Sequence, residues 1–92
     1  MSRLSGASSL AGAVHTDAYR LLRQEIVRVR LEAGMSQAKL AEILGKPASY
    51  VAKYELGERR LDPVELCVIL KVTGADFELF FLKLYEGSPI RL

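Results

Sequence analysis

The side chains best suited to chemistry lie in one stretch, GKPASYVAKYELGERR, from Gly45 to Arg60. It gathers Lys46, Lys53, Arg59 and Arg60 with two of the chain's four tyrosines, Tyr50 and Tyr54. Cations and aromatic rings share one short rod bounded by a glycine at each end. Reactive residue types are sparse elsewhere. The one histidine, His15, and the one cysteine, Cys67, are far apart and make no nucleophile–base pair. No cluster has metal-ligand spacing, and no glycine-rich loop follows a strand to hold phosphates. The sequence therefore predicts no metal, no cofactor and no enzymatic activity. His15 is expected to be idle in a tail, and Cys67, within ELCVILK, to be a buried thiol.

The rod must be held by a small scaffold. At 92 residues the chain is one domain that buries roughly 60–65% of its unfolded surface. A single cysteine rules out an internal disulfide framework. Net charge is only +2, but residues 1–62 hold ten cations against seven acids, and residues 63–92 three against four. That asymmetry is compatible with a nucleic-acid partner. Residues 1–16, rich in Ser, Gly and Ala, read as a flexible tail; Ser and Gly break the apolar run a signal peptide needs. No stretch approaches the roughly 18 apolar residues of a membrane span, so no membrane partner and a cytoplasmic location are expected.

Five short helices are expected, with no strand, because no window alternates with period two between turn residues. Thr16 reads as an N-cap for the first, whose Tyr19, Leu22, Ile26, Val29 and Ala33 share a stripe about 80° wide on a helical wheel. The second runs over about 37–44 from the cap Ser36, with Leu40, Ala41, Ile43 and Leu44 inward. The third runs over about 47–56, with Pro47 in its first turn. Asp62, Pro63 and Glu65 form a capping box for the fourth. The last runs over about 76–86 from the cap Asp76. Its Phe77, Phe80, Phe81, Leu84 and Tyr85 lie on an arc of about 140° expected to pack inward. The domain thus spans 17–86, with 87–92 as a C-terminal tail.

The second and third helices have the spacing of a helix-turn-helix, with small Ala41 at their close approach and Gly45 in the turn. Leu40, Leu44, Val51 and Tyr54 supply the apolar contacts that fix their crossing. RVRLEAGMSQAKLAEILGKPASYVAKYELGERRLDPVE resembles the DNA-binding domain of lambda-repressor/Cro-like, Xre-type transcriptional regulators. The likeness runs from about Tyr19 to Phe81. It is closest to a stand-alone subgroup whose recognition segment runs like GRPQSFVSKYERGERRLD, against which Ala48 replaces a glutamine and forfeits its adenine contact.

The resemblance implies an all-α, five-helix, lambda-repressor-like fold and double-stranded DNA as partner. The third helix becomes the recognition helix, with Ala48, Ser49, Tyr50 and Lys53 facing bases. Gln37, Lys39, Lys46, Arg59 and Arg60 would contact phosphates. Arg30 and Glu55 would form a buried structural ion pair. Leu79 and Leu82 point away from the inward arc of the last helix and are expected to pair two copies as a homodimer. The expected role is a bacterial or phage transcriptional regulator associated with the nucleoid, a repressor by default, with activation through polymerase or a co-regulator also permitted. The rival is a protein–protein module on the same fold, an antitoxin or adaptor.

Overall fold

The computed structural model describes residues 17–91, and its elements begin and end where local chemistry dictates. Helices α1 (Asp17–Glu32), α2 (Gln37–Leu44), α3 (Ser49–Leu56), α4 (Pro63–Thr73) and α5 (Phe77–Gly87) follow in order, with no strand among the described residues. Thr16, His15 and the expected 1–16 tail lie outside the described residues. The Ser36 hydroxyl accepts from the Lys39 N–H at 3.0 Å, and the Asp76 carboxylate from that of Leu79 at 3.0 Å. Asp62 and Glu65 cap reciprocally: Asp62 accepts from the Glu65 N–H at 2.8 Å, and Glu65 from the Asp62 N–H at 2.9 Å. Each bond satisfies an N–H that has no partner within its helix.

The turn between α2 and α3 closes on Gly45 at φ 71°. There the Lys46 N–H reaches back to the Ala41 carbonyl at 2.9 Å, a left-handed helix end that glycine enters without a Cβ clash. The Pro47 carbonyl accepts from the Tyr50 N–H at 2.9 Å in a turn that precedes α3. The helix therefore starts two residues later than its sequence suggests.

One core joins the five elements: α3 packs on α2 and α1, α4 on α2, and α5 on α1. Ile26, Val29, Leu40, Ala41, Val51, Tyr54, Leu66, Ile69, Leu70 and Phe80 fill it, joined by Tyr50. Three inward assignments are corrected. Ile43 is exposed, because Leu40 and Ala41 set the buried direction of α2 and Ile43 lies about 110° from it. Cys67 is exposed, since Leu66, Ile69 and Leu70 make the buried stripe of α4 and Cys67 lies outside it. Only Phe80 is fully buried on α5, with Phe81 and Leu84 half-buried. Phe77 is 56% exposed and Tyr85 81%. A helix that packs chiefly on one neighbour covers a narrower arc than the apolar residues it carries.

Candidate nucleic-acid interface

Helix α3 is braced from behind by an ion pair. Arg30 on α1 meets Glu55 in the last turn of α3 through two bonds, Nε to Oε2 at 2.7 Å and Nη2 to Oε1 at 3.0 Å. The remaining nitrogen, Nη1, donates to the Met35 carbonyl at 2.9 Å. Side-chain exposure is 10% for Arg30 and 6% for Glu55, so the pair is desolvated. The Glu55 bond holds the Arg30 guanidinium's pKa above its ordinary value. Edge-to-edge geometry and the added carbonyl give this charged pair the partners that burial demands.

Gln37, expected to face a phosphate, is turned toward the same centre. Its amide donates to Glu55 Oε1 at 2.8 Å and it is half-buried. An amide carries two N–H bonds, so one remains for an outside acceptor. The α1–α2 loop, the start of α2 and the end of α3 thus share one network.

On the outer side of α3, Ala48, Ser49 and Lys53 are exposed while Val51 and Tyr54 are buried. Tyr50 departs from its expected outward direction. It is only 8% exposed and its hydroxyl donates to Glu65 on α4 at 2.9 Å. The reason is helical spacing: Tyr50 and Tyr54 are four residues apart and share a face, their rings edge to face at 5.5 Å. Burial, with the Glu65 acceptor second, pushes the Tyr50 hydroxyl up to about 12. This ring is packed inside.

Cations surround this region unevenly. Lys46 is exposed, its Nζ 5.3 Å from the Tyr50 ring centre. Lys39 is exposed beside Glu42 at 3.4 Å. Arg60 stacks 4.7 Å over Tyr19. Arg59 is more committed than an ordinary surface arginine: Nη2 reaches Glu65 Oε2 at 2.8 Å, and Nη1 donates to Glu65 Oε1 at 3.2 Å. Nη1 also donates to the Arg60 carbonyl at 2.8 Å. Arg59 first, and the Asp62 N–H next, hold the Glu65 carboxylate at about 2.

Two contributors go beyond the sequence reading. Glu65 is visible there only as a helix cap, yet it also binds Tyr50 and Arg59. Arg23 on α1 lies over Gly57, where its guanidinium would sit 3.2–3.3 Å from an added Cβ. Nothing in the spacing of those two residues signals that contact.

The helix-turn-helix family model matches residues 26–80, which takes in α2, the turn, α3 and α4 complete. The chain belongs to the XRE-family helix-turn-helix proteins. Among solved structures this family member is similar to an XRE-family like protein from Pseudomonas syringae pv. tomato str. DC3000. The two share 34% identity over 92% of this chain and 100% of that one, with a TM-score of 0.75. No curated protein matches the chain. The XRE fold is that of a DNA-binding regulator, and the family is not typically enzymatic. Among the described residues of this XRE-family chain, no helix is long and apolar enough to cross a membrane.

Proposed function

We propose that this protein binds double-stranded DNA sequence-specifically as a small regulator of transcription, with α3 in the major groove. The observation that carries this reading is the division of α3 into two sides. Ala48, Ser49 and Lys53 are exposed, while Val51, Tyr54 and the Arg30–Glu55 pair pin the opposite side to the scaffold. A rod fixed from behind presents its outer side chains in one direction, which base reading requires. Lys53 donates to guanine O6 or N7, the Ala48 methyl meets a thymine methyl, and Ser49 accepts either polarity. Gln37, Lys39, Lys46 and Arg60 take phosphates and set orientation.

A homodimer completes the reading, because one eight-residue helix spans too few bases for selectivity. On α5, Leu79 is 44% exposed and Leu82 50%, which favours a self-complementary patch there. Two-fold pairing sets recognition helices about 34 Å apart on the duplex. Regulation follows from occupancy, with repression by conflict with polymerase as the default.

The same apolar face favours a second reading, an adaptor or antitoxin that docks a partner protein. Salt dependence separates the two. A DNA reader that displaces counterions from several phosphates weakens steeply on random duplex as salt rises. Selection of fragments from a random duplex pool then yields a two-fold consensus. Failure to bind any duplex at low salt overturns the DNA reading and leaves the adaptor.

A further inference from the structure

Three segments converge on the Tyr50 ring. Its hydroxyl is held by Glu65 of α4, its edge meets Tyr54, and Arg59, from the loop between α3 and α4, lies with Cζ 5.0 Å from the ring centre. Glu65 is itself immobilised by the reciprocal cap with Asp62. The start of α3 is closed by the backbone bond from the Tyr50 N–H to the Pro47 carbonyl at 2.9 Å, and Ala48 adds no side-chain hydrogen bond there. The first turn of the recognition helix is therefore held by Tyr50, and Tyr50 by α4 and Arg59.

We infer that Tyr50, Arg59 and Glu65 form a positioning clamp that fixes how the first turn of α3 meets the bases. Arg59 serves sequence reading through this clamp instead of neutralising a backbone phosphate. The inference rests on the DNA-binding reading above. Geometry argues for it in two ways. The Nη1–Nη2 edge of the Arg59 guanidinium already grips both oxygens of Glu65, and Nη1 also holds the Arg60 carbonyl, which commits most of its donors to the scaffold. In addition, Tyr50 directly follows Ser49 and precedes Lys53 by three residues, so a rotation of α3 that moved those side chains would break the Tyr50–Glu65 bond. Glu65, at about 2, stays charged and Tyr50, near 12, stays protonated across the pH range of DNA binding. The clamp is a fixed brace.

The test uses the full chain, a duplex selected from a random pool, and a scrambled duplex of equal length. Affinities are read by fluorescence anisotropy at several salt concentrations, well below the melting temperature of each variant. Tyr50→Phe keeps the ring and removes only the bond to Glu65; Arg59→Ala removes the cation. Both are expected to lower affinity for the selected duplex at least about fivefold, the low end of one good base contact. Affinity for the scrambled duplex and the salt slope should stay unchanged. Equal losses on both duplexes, with a slope for Arg59→Ala shallower by about 0.9, would make Arg59 a phosphate contact and overturn the clamp. Undiminished preference of Tyr50→Phe for the selected duplex overturns it as well, and leaves the DNA-binding reading intact. If the wild-type chain binds neither duplex, both readings fall.

Discussion

Arg30 and Glu55, 25 residues apart in sequence, meet edge to edge at 2.7 and 3.0 Å behind the helix that carries the exposed Ala48, Ser49 and Lys53. The pair ties the end of α1 to the end of α3, and Gln37 brings the start of α2 into the same bond network. Removing one partner leaves a desolvated charge without compensation. Arg30→Ala or Glu55→Ala should each lower stability by about 3–5 kcal/mol in denaturant titrations. Arg30→Met combined with Glu55→Leu should recover most of that loss, because neither charge is then stranded. Additive losses in the double variant would show instead that the two residues act independently, with no coupling between their charges.

The two glycines that end α2 and α3 differ in one respect. Gly45 and Gly57 both adopt positive φ, 71° and 84°, but only Gly57 has a neighbour where a Cβ would stand. An L-residue in the left-handed region costs about 1–2 kcal/mol. Gly45→Ala should pay that alone, whereas Gly57→Ala must also displace the Arg23 guanidinium. The expected order in thermal melts is wild type, then Gly45→Ala, then Gly57→Ala as least stable. Adding Arg23→Ala to Gly57→Ala should remove the excess; persistence of the gap would place its cause elsewhere than Arg23.

Much of this arrangement is legible in the sequence, because helix ends are local chemistry. Ser36, Asp62 and Asp76 cap where their side chains can reach an N–H three residues on, and no distant partner is needed. The side of α3 that Tyr50 occupies is misplaced by the sequence reading: its four-residue spacing from Tyr54 marks the buried side, but the expectation of base contact puts it outward. Its partner is not legible: the hydroxyl bond to Glu65 spans 15 residues and depends on how α4 is set against α3. The Arg30–Glu55 pair emerges from family resemblance alone, since no local pattern joins positions so far apart. On α5 the apolar arc is real, but periodicity does not say how many neighbours a helix has, and Phe77 and Tyr85 stay uncovered.

Glu65 gives the fold a defined acid sensitivity. Its carboxylate is lowered from 4.5 to about 2, first by Arg59 and then by the Asp62 N–H. A carboxyl that titrates lower in the folded state than in the unfolded one adds stability above its unfolded value, and loses it as pH falls through the folded one. The contribution is thus complete above about 4.5 and gone below about 2. Other acids also titrate there, so the informative quantity is a difference. Melting temperatures of wild type minus Glu65→Gln should be positive at neutral pH and shrink toward zero as pH falls through that window. A difference that is flat from pH 5 to 2 would mean that Glu65 holds its partners without its charge.

Base reading and phosphate anchoring predict opposite patterns for two exposed cations. Lys53 stands on the outer side of α3, while Arg60 lies in the following loop against Tyr19. Lys53→Ala should cost about 1–3 kcal/mol on duplexes that carry its preferred base and little on others. Arg60→Ala should weaken all duplexes alike and make the salt slope shallower by about 0.9. Competition binding against a panel of single-base variants of the selected duplex checks both. Uniform loss for Lys53→Ala across the panel would remove it from the base-reading set.

The proposed pairing of two copies is tested on α5. Leu79 and Leu82 lie about 60° apart on the helical wheel, close enough to form one patch, and both are about half exposed. Phe77 and Tyr85 widen the apolar face beyond those two leucines. Fully burying an exposed leucine contributes about 1.5–3 kcal/mol, and these are already half covered, so each of the four across a two-fold contact adds roughly half of that. Leu79→Glu with Leu82→Glu places like charges where the copies would meet and should yield monomers in sedimentation analysis. The core is untouched, so the melting temperature of the monomeric fold should change little. Affinity for a two-fold site should then fall toward that of a single half-site. An unaltered mass in solution would place the contact elsewhere, and the uncovered Val64 and Val68 of α4 would be the next residues to replace.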